Sequence, residues 1–474
     1  MEFQLIPCHK TTGHHIKNMF HITPDLVDKY GVSGPRYTSY PTAPIWHDID
    51  RSVQLNWLNE IETSPRPLSF YLHIPFCRSR CYYCGCNTLV TRKQSQSASY
   101  VEHLVKEINQ IGKILPRGKQ IRQLHFGGGT PTFLLNEEFE QLLETINSNF
   151  TFETDAEIAI EIDPRTTRPD QLKFLSENGF NRLSLGVQDF DHTVQTAINR
   201  IQSKEITLDH LQTARSLGFK GINFDLIYGL PFQTLDSFNQ TLATVIEMKP
   251  DRLAIYNFGY LPDRMPHQKK IDPQSLPDKK TRLALAFETI TRLTNAGYEY
   301  IGMDHFALPD DELSIAMKNR TLNRNFMGYT PKSNVDLLGI GMTAISEIGP
   351  YFLQNEKRIK TYQEQVNETG LSACRGMALS RDDQMRKWII QRIICHFYLS
   401  YAEFKAEFKS EFAACFATEM KQLAGFQEDG LIKINEDHLQ ITDTGKVFVR
   451  NICMLFDAHI NKDDTPKVQY SNTV

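Results

Sequence analysis

The chain of 474 residues has no run of about eighteen consecutive apolar residues, so no membrane-spanning helix is expected. Its opening, MEFQLIPCHKTTGHHIKNMF, lacks a basic segment followed by an apolar core, which argues against a secretory signal there. Charge excess is lacking too. Against 52 Lys and Arg stand 56 Asp and Glu, a net −4, which leaves no polycation to hold nucleic acid by charge alone. A hydrophobic share of 41% and a charged share of 23% exclude a disordered solvating chain. Nine cysteines are too sparse for a disulfide scaffold at this length, and a cytoplasmic protein is expected.

Four of those cysteines crowd between Cys77 and Cys86. The remaining five, Cys8, Cys374, Cys395, Cys415 and Cys453, are scattered and read as buried small hydrophobes. Cys8, His9, His14 and His15 could bind a metal, but so short a terminal cluster reads more simply as a mobile end.

Short β-type runs recur from Leu68 onward: LSFYLHI, QLHFGGG, AEIAIEID, RLSLGVQ, GINFDLIYG and RLAIYNFG. Between them lie stretches of helical period. Val101, Leu104, Val105, Ile108 and Ile111 share one face, and Phe139, Leu142, Leu143 and Ile146 another, with Asn136 as a candidate N-cap. Gly179, Gly218 and Gly297 each close such a helix before an aromatic residue, as a left-handed C-terminal residue would. Strands alternating with helices predict parallel pairing, and six units in a row predict a complete or partial α/β barrel. Polar and glycine residues gather at the carboxyl ends of those strands, where a barrel keeps its chemistry.

The division expected is an N-terminal extension and arm over 1–60, a (β/α) barrel over 61–365 and a mostly helical, winged-helix-like region over 366–474. From Gly370 to the end there are 13 basic and 14 acidic residues, without the positive footprint of a DNA-reading wing.

The string CRSRCYYCGC sets Cys77, Cys81, Cys84 and Cys86 in C-x-x-x-C-x-x-C-x-C spacing. Structural zinc usually takes two well-separated pairs, and no second pair follows. Thiolates this close suit an iron–sulfur cluster better. Were only three to bind a 4Fe–4S cube, one iron would stay open for a ligand. A zinc-stabilised interaction protein remains the alternative from another class.

C-x-x-x-C-x-x-C after a first strand, with GGGTPT after the second, resembles the radical S-adenosylmethionine (SAM) superfamily. KYGVSGPRYTSYPTAP, YLHIPFC, CYYCGCN, HFGGGTPT, EIDPR, RLSLGVQDF, DLIYGLP and GMDHF are similar to the oxygen-independent coproporphyrinogen III oxidases, as are RNFMGYT, DLLGIGMTAIS and ALSRDD further on. The likeness covers nearly the whole chain after about Asp28. It implies a partial (β/α) barrel of about six parallel strands and an anaerobic step of haem synthesis. In that step the ring A and B propionates of coproporphyrinogen III become vinyl groups, giving protoporphyrinogen IX and two carbon dioxide molecules. An electron reduces the cluster, SAM is cleaved to methionine and a 5′-deoxyadenosyl radical, and that radical takes a hydrogen atom from the propionate.

Residue by residue, the resemblance makes Cys77, Cys81 and Cys84 the cluster ligands and Cys86 a non-ligating fourth cysteine. Gly128, Gly129 and Thr130 fit the cosubstrate-binding turn. Glu161, Gln188, Arg200 and Asp225 match further SAM contacts, Arg200 as a partner for a carboxylate. Tyr71, Tyr83, Gly85, Gly259 and Ile345 complete the set, which in this family holds two SAM molecules. Tyr83 departs slightly from the pattern, where phenylalanine is frequent. Tyr71 and Cys86 are the residues that would act on substrate. Without overall basic character, the chain must hold the four substrate carboxylates with local arginines, for which Arg36 and Arg324 are the candidates. The partners implied are coproporphyrinogen III and an electron donor, flavodoxin-like or similar, with no nucleic acid, no membrane and a monomeric chain. A haem-binding chaperone of the same superfamily is the nearest rival, although such relatives tend to lack the Cys86 equivalent and the PRYTSYP arm.

Overall fold

The computed structural model of the chain describes residues 22–62, 64–460 and 470–473. Cys8, His9, His14 and His15 lie outside them. The described chain forms two compact units, one of residues 46–315 and 331–378 and the other of 22–45, 316–330 and 379–473.

The larger unit is built on a thirteen-stranded sheet. Its centre comprises β1 (Leu68–Ile74), β2 (Gln120–Gly128), β3 (Thr151–Ile162), β4 (Arg182–Gln188), β5 (Gly221–Tyr228) and β6 (Arg252–Asn257). These pair parallel in that order. All six are the expected strands. A seventh, β7 (Asp336–Ile340), pairs parallel with β1 from its other side. The sequence reading missed it because DLLGI is buried at all five positions, which leaves no alternation to read. Antiparallel strands extend both edges. His305–Ala307 and Glu299–Gly302 follow β6, while Ile345–Ile348, Tyr351–Asn355, Ala373–Ala378 and His47–Asp48 follow β7. The sheet is therefore an open, partial barrel. Because His47–Asp48 and Ala373–Ala378 pair at its edge, this unit starts before residue 60 and runs past residue 366.

The longer intervening helices are α1 (Ser95–Ile114), α2 (Asn136–Asn149), α3 (Pro169–Glu177), α4 (Lys204–Ser216), α5 (Leu235–Met248) and α6 (Lys279–Asn295). The predicted apolar face of α1 is buried at Val101, Leu104, Ile108 and Ile111. Asn136 is not the cap of α2 but lies within its first turn. The Glu138 carboxylate accepts from the backbone N–H of Leu135 at 2.7 Å and from the Ser97 hydroxyl at 2.8 Å, which starts the helix and ties it to α1. Gly179, Gly218 and Gly297 stand at φ +86°, +84° and +92° after α3, α4 and α6, as the repeat predicts. Phe180, the first of the following aromatics, packs on Phe126 of β2 and Phe139 of α2 with centroids 5.5 and 6.2 Å apart. Burying each such ring contributes about 1.5–3 kcal/mol.

The second unit carries helix Arg381–His396, capped reciprocally by Ser380 and Asp383. It also holds a three-stranded antiparallel sheet of Tyr398–Ser400, His438–Ile441 and Ile432–Ile434, whose hairpin is the expected one. The arm that holds PRYTSYP is tied to the C-terminal segment. Arg450 donates to the carbonyls of Gly34 and of Pro35, the latter at 2.9 Å, and the Tyr37 hydroxyl donates to Asp457 at 3.0 Å. Cys395 and Cys453 are buried as expected and Cys374 partly so, but Cys415 is exposed at the end of the short helix Phe412–Cys415. Among the described residues no helix is long and apolar enough to cross a membrane.

Candidate functional site

All the site candidates of the larger unit sit at or beyond the carboxyl ends of its parallel strands, except Tyr71 and Asp225 inside theirs and Ile345, which opens the strand after β7. The cysteine loop leaves β1 at Pro75 and returns at Leu89. Phe76–Cys77 and Leu89–Val90 pair parallel, with the N–H of Leu89 on the Pro75 carbonyl at 2.7 Å and that of Thr91 on the Cys77 carbonyl at 3.0 Å. Arg80 clamps the loop from inside by donating to the hydroxyl and carbonyl of Thr88 at 2.7 and 2.9 Å. His267 donates to the Cys84 carbonyl at 2.7 Å from outside.

Each of the three proposed ligands has a donor on its sulfur. The Thr130 hydroxyl is 3.5 Å from Cys77 Sγ, Arg165 and Arg200 reach Cys81 Sγ at 3.5 and 3.7 Å, and the N–H of Cys86 is 3.4 Å from Cys84 Sγ. Donors of this kind favour thiolate over thiol and tune a metal bound to it. The Cys86 thiol, donating to Cys84, is the main cause of a Cys84 pKa pulled down to about 6. Cys86 itself, though exposed, is pushed well up chiefly by the same contact, and burial pushes Cys77 up to about 11. Among the described residues no three His, Cys, Asp or Glu side chains close round a single ion. Three thiols on one loop, each with its own donor, fit the ligand set of a polynuclear iron–sulfur cluster.

The glycine turn folds against this loop. The N–H of Gly129 donates to the Ile74 carbonyl and that of Thr130 to the Phe76 carbonyl, both at 2.8 Å. A Cβ on Gly128, at φ +115°, would stand 2.6 Å from the His73 ring, and one on Gly129 would stand 2.7 Å from the Pro75 carbonyl. Only glycine lets two strand ends approach this closely.

Glu161 accepts from the N–H of Gly128 at 3.1 Å and faces His125 at 3.2 Å. Burial works to raise its carboxyl, but His125 and Gly128 hold it below the ordinary value. Asp225 accepts from Ser184 and Asn223 at 2.8 and 2.9 Å. Burial and the Glu161 charge push it up to about 6. Gln188 is buried at φ +69°. The Tyr71 ring stacks on His125 with centroids 5.8 Å apart, and its hydroxyl donates to His73 Nδ1 at 3.1 Å. His73 in turn donates from Nε2 to the Asn87 carbonyl. Tyr83 packs against the buried cluster of Val194, Ile198, Ile227, Leu230, Phe258 and Ile271. A methyl at Gly85 or Gly259 would meet nothing within 4 Å, so the chain itself does not require glycine there.

The carboxylate opposite Arg200 is the chain's own Asp163, at 3.1 and 3.3 Å, and Arg165 pairs with it as well. Burial works to raise Asp163, but the two guanidinium groups win and hold it at about 2. Arg200 Nε has no acceptor among the described residues. Arg165, His73 and His125 were missed, although all three lie inside the quoted motifs EIDPR, YLHIPFC and HFGGGTPT. Arg36 and Arg324 belong to the second unit. Arg324 is 5% exposed, and its Nε and Nη1 have no acceptor among the described residues.

Residues 71–245 match the radical SAM superfamily and residues 379–448 the HemN C-terminal domain. The oxygen-independent coproporphyrinogen III oxidase of Escherichia coli strain K12 is 46% identical over 92% of this chain and 95% of its own length. That of Pseudomonas aeruginosa is 45% identical over the same shares. The solved coproporphyrinogen III oxidase (HemN) from E. coli, a radical SAM enzyme by its description, superposes with a TM-score of 0.89 at 43% identity. The match covers 93% of this chain and 100% of that one. This chain belongs to the oxygen-independent coproporphyrinogen III oxidase family. As a radical SAM protein it uses a 4Fe–4S cluster and SAM.

Proposed function

We propose that this chain converts the ring A and B propionates of coproporphyrinogen III to vinyl groups, releasing protoporphyrinogen IX and two carbon dioxide molecules. The observation that carries the reading is the loop of Cys77, Cys81 and Cys84 at the carboxyl end of β1, each sulfur met by its own donor. A 4Fe–4S cluster held by Cys77, Cys81 and Cys84 would supply the electron that cleaves SAM to methionine and a 5′-deoxyadenosyl radical, whose hydrogen abstraction from each propionate would be followed by loss of carbon dioxide and of one electron to an acceptor.

The chain's own residues position and enclose that chemistry. Cys77, Cys81 and Cys84 hold the cluster, and Cys86 stays off it. The backbone of Gly128, Gly129 and Thr130 meets the amino-acid end of SAM. Glu161 and Asp225 accept from amine or hydroxyl groups, Gln188 lines the same strand end, and Arg200 offers its spare Nε–H to a carboxylate. Tyr83, Gly85, Gly259 and Ile345 complete room for two SAM molecules. Tyr71, its hydroxyl fixed by His73, and Cys86 are the residues that act on the substrate. Arg324 brings to the substrate carboxylates a buried guanidinium lacking acceptors, with Arg36 as a second anchor. The enzyme works as a cytoplasmic monomer with a separate electron donor and without nucleic acid or membrane.

Anaerobic turnover with dithionite and SAM tests the reading. Two carbon dioxide molecules per protoporphyrinogen are expected, and loss of both products in Cys77→Ala, Cys81→Ala and Cys84→Ala. A protein that binds haem or porphyrinogen and makes no vinyl product is the chaperone instead.

A further inference from the structure

We infer that the outer face of the cysteine loop is the docking surface for an acidic one-electron carrier protein. This rests on the cluster reading above and adds the route by which the electron arrives. The chain carries a net charge of −4, yet from Cys77 to Val101 it has no acidic residue and four basic ones: Arg78, Arg80, Arg92 and Lys93. Between Asp263 and Asp272 it has Arg264, His267, Lys269 and Lys270 and again no acid. The fold brings these two stretches to opposite flanks of one loop.

On one flank the pairing of Cys77 with Val90 sets exposed Arg78 beside exposed Arg92 and Lys93. On the other, the hydrogen bond from His267 to the Cys84 carbonyl fixes a short helical turn against the loop. That turn holds Lys270 over the Tyr82 ring at 4.9 Å and leaves Lys269 exposed. Arg92, Lys93, Lys269 and Lys270 make no ion pair among the described residues, so their charge is not cancelled. Two apolar side chains stand out among them: Val90, 46% exposed, and Ile201, 60% exposed and next in sequence to Arg200, which reaches Cys81.

Exposed apolar side chains beside uncancelled basic ones suit a transient partner steered by opposite charge. The partner's chemistry follows from what the loop needs. One electron leaves the reduced carrier and enters the cluster for each SAM cleaved, and no atom changes hands. A carrier that must come and go on every cycle is served by a fast, salt-sensitive encounter.

The test uses the reconstituted holoenzyme, oxidised flavodoxin as the acidic binding probe, and flavodoxin hydroquinone against dithionite as reductants. In Arg92→Glu/Lys93→Glu/Lys269→Glu, flavodoxin Kd should rise roughly ten- to hundredfold, and cluster bleaching by the hydroquinone should slow to match. Bleaching by dithionite should not change. Wild-type binding should also weaken steeply between 0.05 and 0.5 M salt, to roughly one-tenth or less. Unchanged flavodoxin affinity in the variant, or a flat salt profile in the wild type, overturns the assignment. So does a variant whose only defect under dithionite is a raised KM for coproporphyrinogen, because those basic residues would then steer substrate. Dithionite-driven SAM cleavage by the wild type separates a failed docking face from a failed reading of the enzyme.

Discussion

Arg200 stands with Nη1 3.1 Å from Asp163 Oδ2 and 3.7 Å from Cys81 Sγ, so one buried guanidinium joins a carboxylate at the end of β3 to the cysteine loop. Removing it leaves Asp163 buried with Arg165 alone. Arg200→Ala should destabilise the protein by about 3 kcal/mol in chemical denaturation and abolish SAM cleavage. Arg200→Lys keeps the charge but not the fork, and should recover most of the stability while the KM for SAM stays raised at least about tenfold.

Gly129 offers a test that removes no functional group. A methyl there would press 2.7 Å from the Pro75 carbonyl, backbone against backbone, where neither side yields cheaply. Gly129→Ala should cost about 1–3 kcal/mol and weaken SAM binding while iron content stays near four per chain. Unchanged SAM affinity in an anaerobic titration would remove the turn from the cosubstrate site.

The six central strands could be read from sequence because each pairs an apolar run with a glycine or polar stop, and the helix ends because Gly179, Gly218 and Gly297 repeat. What escaped depended on tertiary context. DLLGI gives no alternation, so β7 was missed. Asn136 looks like a cap, but Glu138 reaches back to the N–H of Leu135 and moves the cap one residue earlier. The thiols were legible from their spacing alone. Their donors were not, because Arg165, Arg200 and Thr130 approach the cysteine loop from three later strand ends. No local pattern records that approach.

Glu107 gives a pH test well away from the thiols. This buried carboxyl on α1 accepts from the N–H of Gly341 at 2.8 Å and from Tyr362 and Asn355 at 2.7 Å, and burial pushes it up to about 7 from 4.5. Between those values the folded chain binds a proton that the unfolded chain releases, so stability falls as pH rises. Thermal unfolding from pH 5 to 8 should show a loss on the order of 3 kcal/mol that is absent in Glu107→Gln. The glutamine variant should be less stable at pH 5 by about 1–3 kcal/mol, because its amide turns a donor on the Asn355 amide.

Arg324 makes a prediction of unusual sign. With two buried N–H groups lacking acceptors, it is unfavourable to the ligand-free protein. Arg324→Met should leave the ligand-free unfolding temperature unchanged or raise it, and should increase the KM for coproporphyrinogen about ten- to hundredfold. A destabilised protein with normal KM would make it a structural residue.

The central claim is a cube held by three thiolates, with one iron left for SAM. Mössbauer spectroscopy of protein reconstituted with iron-57, recorded before and after SAM is added, tests it most directly. The account predicts that one iron in four shifts on addition while three stay put, and that Cys86→Ser behaves like the wild type. Four equivalent irons that ignore SAM, or a change in the Cys86 variant that marks it as a fourth ligand, would contradict it.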